Sequence, residues 1–386
     1  MDYTLPPEYR LLQRGIREFI DAEVAPIAAQ IDRDDCTPPS LVRKMADAGL
    51  FGLPFSTKYG GGGAGELGYC ILMEEISRAS SSVGVIVGAH IGIGGGAIYL
   101  DGSEEQKQKY MPPLCRGEQL AAFCLTEPQA GSDAANLRTT ARRDGDHWVL
   151  NGTKLWASNG SRAGILSVFA ANDRSLGARG GITAFIVEKA FGGITVARLE
   201  EKMGLHGSDT ALLIFEDCRV PRENVIGPVG AGFLTAMKTL DGGRLSLGAA
   251  ALGGAQYGLE TMVRWAQAAV ENGQPIANRQ AIQWMIADTA MEVSALRHMV
   301  YSAAWMFDQG KKVSREAAMI KAYATEVGAR AVDRSIQVHG AAGLRHGAPV
   351  ERHFRDERIA RIFEGTNEVQ RLIIAQETYR QMGYRA

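Results

Sequence analysis

The stretch "LRTTARRDGDHWVLNGTKLWAS", residues 137–158, decides the fold, because its pattern differs from everything that precedes it. Apolar and polar residues alternate along it around the turn "RDGDH", and the pair Asn151-Gly152 predicts a second turn. Alternation with a period of two is typical of strands that are buried on one face. The stretch therefore predicts a β-hairpin near the start of a β-domain.

Strand-like segments continue toward the C-terminus. They are short, rich in β-branched and aromatic residues, and separated by Gly, Asn and Asp: "GILSVFAAND", "GITAFIVEKA", "ITVARLEEK" and "TALLIFEDCRV". Several short strands without intervening helices indicate a small antiparallel barrel or sandwich. This pattern extends from about residue 119 to residue 228 and bounds the predicted middle domain.

Both flanks of this domain have helical periodicity. Apolar residues recur at three- and four-residue steps near the N-terminus, at Leu12, Ile16, Phe19, Ile20, Val24 and Ile27. After the β-domain we predict a helix at "FLTAMKTL", a separate one from "RLSLG" onward, one over 279–309 and one from "SREAAMI" to "QVHG". The chain is thus predicted to be an α+β multidomain protein with domains 1–118, 119–228 and 229–386.

Composition excludes several classes of protein. The formal net charge of −1 over 386 residues gives no basic field for nucleic acid or an anionic membrane. The five cysteines are scattered without a C-x-x-C pair, so no disulfide framework or metal site is expected, and a cytoplasmic location fits. We also expect no signal peptide at the start "MDYTLPPEYR", and no charge-free apolar stretch of membrane-spanning length.

Two motifs have simpler interpretations than a ligand site. "GIGGGA", residues 92–97, imitates a dinucleotide fingerprint, but a helical pattern precedes it and no βαβ unit surrounds it. Close packing of small helix residues is the better interpretation, so an NAD-binding Rossmann enzyme is the weakest hypothesis. His339 ends a helical pattern, and no other histidine is spaced to share a metal with it.

Two segments of the β-domain suit polar recognition. "FCLTEPQAGSDAANL", residues 123–137, is rich in turns and carries hydroxyls and backbone N–H groups that could meet a ring edge or a phosphate. "LWASNG", residues 155–160, places Trp156 and Ser158 at a strand end before an Asn-Gly turn. Each could also be ordinary, the first a loop with Asx turns and the second a core tryptophan.

The segment "RIFEGTNEVQRL", residues 361–372, contains the candidate base. Glu364 stands between Phe363 and Gly365, which is an unusual place for a glutamate on a helix surface. Apolar neighbours remove water from a carboxylate, raise its pKa and make it a stronger proton acceptor. Glu364 is therefore either an acid in a turn or a base kept dry for chemistry.

Five segments taken together carry a resemblance that none carries alone. In chain order they are "LTEPQAGSD", "LWASNG", "LDGGR", "QVHGAAG" and "IFEGTNEVQR". In this order and at these separations they resemble the acyl-CoA dehydrogenase family of the short- or medium-chain type. The resemblance covers essentially the whole chain and implies a C-terminal four-helix bundle after the middle β-domain.

The resemblance implies FAD as cofactor and α,β-dehydrogenation of an acyl-CoA thioester to a trans-2-enoyl-CoA. Glu364 matches the catalytic base that takes the α-proton, while flavin N5 takes the hydride from Cβ. The thioester oxygen is then held by the backbone N–H of Glu364 and a ribityl hydroxyl of FAD, which stabilise the developing negative charge. Gly365 matches a residue that lies against the substrate.

The remaining roles follow from the same matches. The residues implied at the cofactor are Phe123, Leu125, Thr126, Gly131, Ser132, Trp156, Ala157, Ser158, Gln280, Gln337, Gly340, Ala341, Thr366, Asn367 and Glu368. The residues implied at the substrate are Ser132, Asp241, Arg244 and Gly365, and no metal is expected. Gly243 occupies the position from which some relatives supply the base, so Glu364 is the only matched base.

One departure concerns the cofactor of a neighbouring subunit. The family usually has an arginine and a phenylalanine where this chain has Ala269 and Asn272, so we expect weaker retention of FAD. The resemblance also implies a homotetramer and electron transfer to an electron-transferring flavoprotein. The alternatives left open are a same-fold oxidase, monooxygenase or dehydrogenase-decarboxylase, and a non-enzymatic acyl-CoA- or flavin-binding protein.

Overall fold

The protein consists of two helical regions with a sheet between them. A computed structural model describes residues 5–384, so the outermost residues of both predicted terminal domains, and part of the segment judged for a signal peptide, lie outside the described residues. The first helices are α1 (Pro7–Phe19), α2 (Ala28–Arg33), α3 (Pro39–Asp47), α4 (Gly65–Ala79), α5 (Ser81–Gly88), α6 (Gly96–Asp101) and α7 (Glu104–Cys115). A π-helical segment, Ala89–Gly95, joins α5 to α6.

The strands come next and are followed by the longest helices. The strands are β1 (Ala121–Cys124), β2 (Thr140–Asp144), β3 (His147–Ser158), β4 (Ile165–Ala171), β5 (Ile182–Glu188), β6 (Ile194–Leu199), β7 (Thr210–Pro221) and β8 (Val225–Ile226). The C-terminal elements are α8 (Gly232–Ala268), β9 (Val270–Glu271), β10 (Gln274–Pro275), α9 (Gln280–Asp308), α10 (Ser314–His339), α11 (Pro349–Glu357) and α12 (Asn367–Gln381). The predicted three-part architecture is confirmed.

The middle sheet is more mixed than the sequence predicts. Its strands lie in the order β6-β7-β3-β2-β4-β5-β8, with β1 beside β4. Most neighbours are antiparallel, but β1 pairs with β4 in parallel, from Ala121 opposite Ile165 to Cys124 opposite Val168. Parallel pairing needs a long crossover, and here the whole of β2 and β3 lies between the two strands.

The predicted turn at Asn151-Gly152 is wrong. Both residues lie inside β3, where the pairing with β7 shifts register between Leu150 and Gly152. The Asn151 side chain exchanges hydrogen bonds with Asp217 on β7, and a Cβ on Gly152 would come within 2.6 Å of Thr139. The pair therefore serves an irregular strand contact, where a close approach of backbones requires glycine.

The predicted break between "FLTAMKTL" and "RLSLG" is also wrong, because α8 runs without interruption through Gly242 and Gly243. Glycine in a helix interior costs about 1 kcal/mol relative to alanine, which is small against the packing of a 37-residue helix. A Cβ on Gly243 would meet the side chains of Glu364 and Ile93. The glycine is explained by this crowding and not by a helix end.

The two helical regions form one body. Helix α4 packs against α8 and α9, and its buried Glu74 accepts hydrogen bonds from Arg297 and Tyr301 of α9. Asp308 at the end of α9 accepts hydrogen bonds from the backbone N–H groups of Glu66 and Leu67, which are unsatisfied donors at the start of α4. The C-terminal helices are therefore held rigidly against the N-terminal ones.

The expectation that no charge-free stretch reaches membrane-spanning length is wrong. The helical stretch Ser81–Asp101 is long and apolar enough by length and composition alone, and it has no charged residue before Asp101. Of its most apolar 18 residues, 67% are buried inside the protein, as in the core helix of a globular domain. The "GIGGGA" motif lies in this stretch, where a Cβ on Gly94 would come within 2.8 Å of Ala121. This is the small-residue packing that the sequence predicts.

Candidate active site

Glu364 lies on the short loop between residues 358–361, which form a 3-10 turn, and helix α12. Its backbone has a φ of +54°, which is rare for a residue with a side chain, and Gly365 follows with a φ of +92°. A backbone in this region costs free energy and persists only where its surroundings hold it. The loop is thus a strained segment that directs the Glu364 side chain.

Two side chains hold this strained backbone. Arg244 of α8 donates from Nε to the carbonyl oxygen of Glu364 at 3.2 Å, and Gln370 of α12 donates from Nε2 to the carbonyl of Gly365 at 3.0 Å. A Cβ on Gly365 would come within 2.6 Å of that Gln370 nitrogen. Gly365 is therefore required both by its positive φ and by the Gln370 amide beside it.

The carboxylate of Glu364 is left without a hydrogen-bond partner on one oxygen. Its Oε2 is buried and has no partner among residues 5–384. Burial raises the pKa of Glu364 to about 7, although Arg244 and Lys321 act in the opposite direction. A desolvated carboxylate with a pKa near neutral pH is what a general base needs.

The substrate residues predicted at 241 and 244 lie beside this loop. Arg244 is 4% exposed, and its Nη1 donates to Asp241 Oδ1 at 2.8 Å, while Asp241 Oδ2 accepts from Ser314 at 2.6 Å. Apart from any contact with a substrate, Arg244 therefore holds the Glu364 loop in place through its hydrogen bond to the Glu364 carbonyl. Asp241 is only partly buried, and its side chain is tied to α10 through Ser314.

The space around the carboxylate is small. A Cβ on Gly243 would come within 2.8 Å of Glu364 Oε2 and 3.1 Å of Ile93. A Cβ on Gly92 would come within 2.9 Å of the Tyr69 hydroxyl, and Tyr69 is 1% exposed. A side chain at Gly92 or Gly243 would therefore collide with its neighbours, and at Gly243 it would collide with the Glu364 carboxylate itself.

A second cluster joins the two turn-rich segments of the β-domain. The backbone N–H of Leu155 donates to the Thr126 carbonyl at 2.9 Å, and the pairing of β3 with β7 shifts between Lys154 and Ala157. At this bulge Trp156 has a φ of +60° and turns outward, so that it is 50% exposed. A flat indole with nearby hydroxyls suits a flat polar ring.

A buried ion pair between Lys154 and Glu127 fixes this cluster. Sequence reasoning missed the pair, because nothing in the local pattern marks either residue as buried. Their Nζ and Oε1 are 2.7 Å apart, and both side chains are at most 1% exposed. Glu127 also accepts from the backbone N–H groups of Arg138 and Thr139, and Lys154 donates to the Leu125 carbonyl. Burial alone would raise the pKa of Glu127, but Lys154 and these bonds hold it below its ordinary value.

The other predicted cofactor residues of the β-domain differ in what they can offer. Phe123 packs its ring against Phe169 at 4.8 Å, and Leu125 and Ala157 are buried, so these three can offer mainly backbone groups. Thr126 and Ser158 are partly exposed with free hydroxyl positions, and Gly131 and Ser132 are exposed in the turn. The hydroxyls and the turn backbone are thus the accessible part of this segment.

The start of α12 likewise contains both accessible and buried side chains. Thr366 caps the helix by accepting from the Val369 N–H, and Glu368 is exposed in the first turn. The Asn367 side chain, in contrast, is 2% exposed and bonds inward to Lys321, Thr325 and Glu326. Only the backbone of Asn367 is therefore available to a cofactor.

The π-helical segment Ala89–Gly95 lies between the two clusters. On one side Gly94 packs on β1, and its carbonyl accepts from Ser167 at 2.8 Å. On the other side Ile93 faces Gly243 next to Glu364. Extra backbone in a helix is often found at functional sites, and here it separates the β-domain cluster from the Glu364 loop.

The predicted residues of the subunit-shared cofactor site lie elsewhere, on the surface of the C-terminal helices. Gln280, Gln337, Gly340 and Ala341 are all exposed, and the contacts within one chain do not join them to Glu364. Next to them, Asn272 and Gly273 form the positive-φ turn of the β9–β10 hairpin. The hairpin carries Glu271, which pairs with Arg279 at 2.7 Å.

Within residues 5–384, no group of three or more His, Cys, Asp or Glu side chains is placed to hold a metal ion. In the same range all five cysteines are unpaired. The site itself contributes the Glu364 carboxylate, the Thr126 and Ser158 hydroxyls, the exposed Trp156 indole and backbone dipoles.

Three family models match the chain in sequence. The acyl-CoA dehydrogenase N-terminal domain matches residues 6–118, the middle domain residues 122–218, and the C-terminal domain residues 230–379. These matches fall on the first helical region, the sheet and the second helical region respectively.

Individual relatives are similar over their whole length. The chain is 41% identical over 380 residues to a short-chain specific acyl-CoA dehydrogenase of Clostridium acetobutylicum, covering 98% of this chain and 100% of the relative. Butyryl-CoA dehydrogenase from Megasphaera elsdenii is 37% identical with a TM-score of 0.96, covering 98% and 100%. A chain from the structure described as the electron transferring flavoprotein of Acidaminococcus fermentans is 40% identical with a TM-score of 0.96, with the same coverage.

Proposed function

The chain belongs to the acyl-CoA dehydrogenase family, and from that premise we propose that it oxidises the Cα–Cβ bond of an acyl-CoA thioester to a trans-2-enoyl-CoA. It is an FAD-dependent oxidoreductase acting on a CH–CH group. The assignment of roles to individual residues, and the domain division at 1–118, 119–228 and 229–386, are parts of the proposal.

The unpaired, buried Oε2 of Glu364 is the observation that carries the mechanism. The α-proton of the thioester passes to this oxygen, which has no competing donor. Because burial raises the pKa of Glu364 to about 7, the carboxylate is basic enough to take the proton and is still ionised in a large fraction of molecules at neutral pH. Its strained loop, held by Arg244 and Gln370, keeps the oxygen in one place.

The backbone of the same loop supplies the electrostatic assistance. Within residues 5–384 the N–H of Glu364 has no hydrogen-bond partner, so it is free to donate to the thioester oxygen. Such a donor stabilises the negative charge that develops on that oxygen as the α-proton leaves. Base and donor therefore come from one residue and move together.

The donor set of the β-domain cluster fits FAD. The exposed Trp156 ring offers a stacking face, and the Thr126 and Ser158 hydroxyls offer hydrogen bonds to the edge of a flat heterocycle. Gly131, Ser132 and the first turn of α12 at Thr366 and Glu368 add accessible polar groups. FAD, when bound, accepts the hydride that leaves Cβ.

We propose a short acyl chain as the substrate. The Glu364 carboxylate and Ile93 both lie close to Gly243, and the buried Tyr69 lies close to Gly92, so the surroundings of the carboxylate are crowded. The relative from Clostridium acetobutylicum is described as short-chain specific, and the structure from Megasphaera elsdenii is described as a butyryl-CoA dehydrogenase. Asp241, Arg244, Ser132 and Gly365 are the residues that we place along the thioester.

We further propose a homotetramer that completes the cofactor site with Gln280, Gln337, Gly340 and Ala341 from a neighbouring subunit. Helix α9 presents an apolar face to solvent: Trp284, Met291 and Trp305 are 61%, 64% and 50% exposed and lie seven and fourteen residues apart. An exposed apolar face along one side of a long helix supports a subunit contact there. A monomer with bound flavin in light scattering would contradict the shared site.

The physiological acceptor that we propose is an electron-transferring flavoprotein, and the location is the cytoplasm. The electron acceptor is proposed from the family and from the chain of Acidaminococcus fermentans to which this one is similar.

Because this chain has Ala269 where the family usually has an arginine, one cation expected near the cofactor is missing, and we expect weaker retention of FAD than is usual in the family. Flavin per chain before and after extensive dialysis measures this.

An anaerobic titration of the yellow protein with acyl-CoA thioesters of increasing chain length tests the function. We expect bleaching of the flavin, strongest for short chains, and a product with an unchanged number of carbons. If the titration also includes an acyl-CoA that carries a carboxylate on its γ-carbon, bleaching accompanied by release of CO₂ from that thioester would replace the proposal with a dehydrogenase-decarboxylase. A flavin that no acyl-CoA bleaches would overturn dehydrogenation.

A further inference from the structure

Lys321 is a buried cation that the mechanism above does not use. It lies on α10, is 0% exposed, and donates from Nζ to Asn367 Oδ1 at 3.0 Å. A fully buried lysine is rare, because removing an ammonium from water is costly unless a partner compensates it. The burial of the Lys321 ammonium group therefore needs a structural or functional explanation.

Asn367 links this lysine to the loop that carries the base. Its amide nitrogen donates to Thr325 Oγ1 at 2.9 Å and Glu326 Oε1 at 3.0 Å, both on α10, while its oxygen accepts from Lys321. Asn367 is the first residue of α12 and comes three positions after Glu364. The C-terminal end of the strained loop is thus fastened to α10 by a buried polar network.

The charge of Lys321 also acts on Glu364. The charged groups that face Lys321 are Glu364 on the loop, Arg244 on α8, Glu368 on α12 and Glu326 on its own helix. Burial lowers the pKa of Lys321 to about 8, and Glu364 opposes that change. Glu364 in turn faces Arg244 and Lys321, both of which favour its ionised form, and Tyr69, which is neutral.

Arg244 and Lys321 do not have the same function. The Arg244 guanidinium is engaged by the Asp241 carboxylate at 2.8 Å and by the Glu364 carbonyl, so its charge is largely shared with an acid. Lys321 makes its hydrogen bond to a neutral amide, and no carboxylate within residues 5–384 lies within ion-pairing distance of it. Its charge is therefore less compensated locally and more available to the carboxylate of Glu364.

We propose that Lys321 is a positioning residue for proton abstraction: through Asn367 it anchors the loop, and through its charge it keeps Glu364 ionised and ready to accept the α-proton. This inference rests on the proposed function, because it assigns Lys321 to the same reaction. The competing explanation is that Lys321 only fills and ties together the helical core. That role would alter stability and rate, but not the pH at which Glu364 ionises.

The test compares variants by stopped-flow flavin reduction with a short acyl-CoA, measured as kred/Kd from pH 5 to 9. Lys321→Gln keeps a donor for Asn367 but removes the charge, so the midpoint of the acidic limb should rise by about one pH unit. Asn367→Ser loosens the anchor while leaving both charges, so the rate should fall about tenfold or more with the midpoint unchanged. Lys312→Gln, which removes an exposed charge that pairs with Glu377, is the matched control and should leave both unchanged.

An unchanged midpoint in Lys321→Gln, with the flavin bound, would overturn the electrostatic role. If that variant does not fold, Asn367→Ser decides, and full activity in it would overturn the anchoring role and with it the proposal. A parent enzyme that is not bleached at all would overturn both this inference and the proposed function. A bleached parent with no change in the variants would overturn the inference alone.

Discussion

Two glutamates with buried carboxylate oxygens, each near a buried lysine, differ in the direction in which their pKa is shifted. Glu127 in the β-domain is bonded directly to Lys154 and to two backbone N–H groups, and its pKa is held below the ordinary value against the effect of burial. Glu364 has its lysine, Lys321, bonded to Asn367 instead, and burial raises its pKa to about 7. The sequence supplies the same two residue types in both places.

The difference lies in where the hydrogen bonds go. Bonds to the ionised form of a carboxylate stabilise it and remove its basicity, as they do at Glu127. At Glu364 the positive charges are near, but Lys321 bonds to an amide and Arg244 bonds to a backbone carbonyl and to Asp241. One arrangement thus fastens a loop, and the other leaves a carboxylate oxygen free to act as the base that we propose.

The largest expected effect comes from replacing the reactive carboxylate. Glu364→Gln keeps size and shape but cannot accept the α-proton, and Gly243 offers no second acid. Flavin reduction by acyl-CoA should therefore fall by more than the roughly 10²–10⁴-fold typical of assisting groups, while flavin content stays the same. Stopped-flow bleaching measures this, with the exposed Glu118→Gln as control. Bleaching within tenfold of the parent would make Asp241 the next candidate.

Breaking the ion pair between Lys154 and Glu127 should lower the free energy of unfolding and should not act directly on proton abstraction. Lys154→Met leaves Glu127 as a buried charge without its cation, which costs about 3–5 kcal/mol of unfolding free energy. Because Lys154 also holds the Leu125 carbonyl, flavin retention should fall as well. Urea unfolding followed by tryptophan fluorescence gives the value. The exposed pair Lys44 with Glu23 provides the control, since Lys44→Met should cost less than about 1 kcal/mol.

A loss of less than about 1 kcal/mol in Lys154→Met would mean that the buried pair does not fasten the loop. Partial recovery in the double variant Lys154→Met/Glu127→Gln would show that the cost arises from the unpaired charge and not from lost packing.

A smaller effect tests the space around Glu364. Gly243→Ala would place a Cβ 2.8 Å from Glu364 Oε2 and 3.1 Å from Ile93, so the carboxylate must move. We expect flavin reduction to fall about 10- to 100-fold, with flavin content unchanged. Gly242→Ala is the matched control on the same helix, because its Cβ meets only Phe307 at 3.8 Å. Equal rates of flavin reduction in the two variants would show that the position of the Glu364 carboxylate does not depend on glycine at residue 243.

The sequence predicts the architecture from local patterns and singles out Glu364 as unusual, while the proposed role of Glu364 as the base comes from the family resemblance. Strand alternation after residue 137 and helical periodicity on both sides are short-range signals, and Glu364 stands out by its apolar neighbours. Asn151-Gly152 and Gly242-Gly243 have the composition of turns, but contacts that the folded chain makes with Thr139 and Glu364 explain Gly152 and Gly243 respectively. Local propensity cannot report such contacts.

The buried lysines are missed for the same reason. Lys154 lies in an alternating strand and Lys321 in an amphipathic helix, where a lysine is normally an exposed residue. Their partners Glu127 and Asn367 are 27 and 46 positions away. What distinguishes the fastened from the reactive glutamate is therefore a property of the folded chain.

The pH dependence of flavin reduction in the parent enzyme tests the central claim, that Glu364 is a desolvated and unpaired base. A base reacts in its deprotonated form, so kred/Kd should rise about tenfold per pH unit below its pKa and level off above it. The midpoint of this rise should lie near pH 7. A profile that is level down to about pH 5 would show that the Glu364 carboxylate is hydrogen-bonded as Glu127 is, and that it is not an unpaired base.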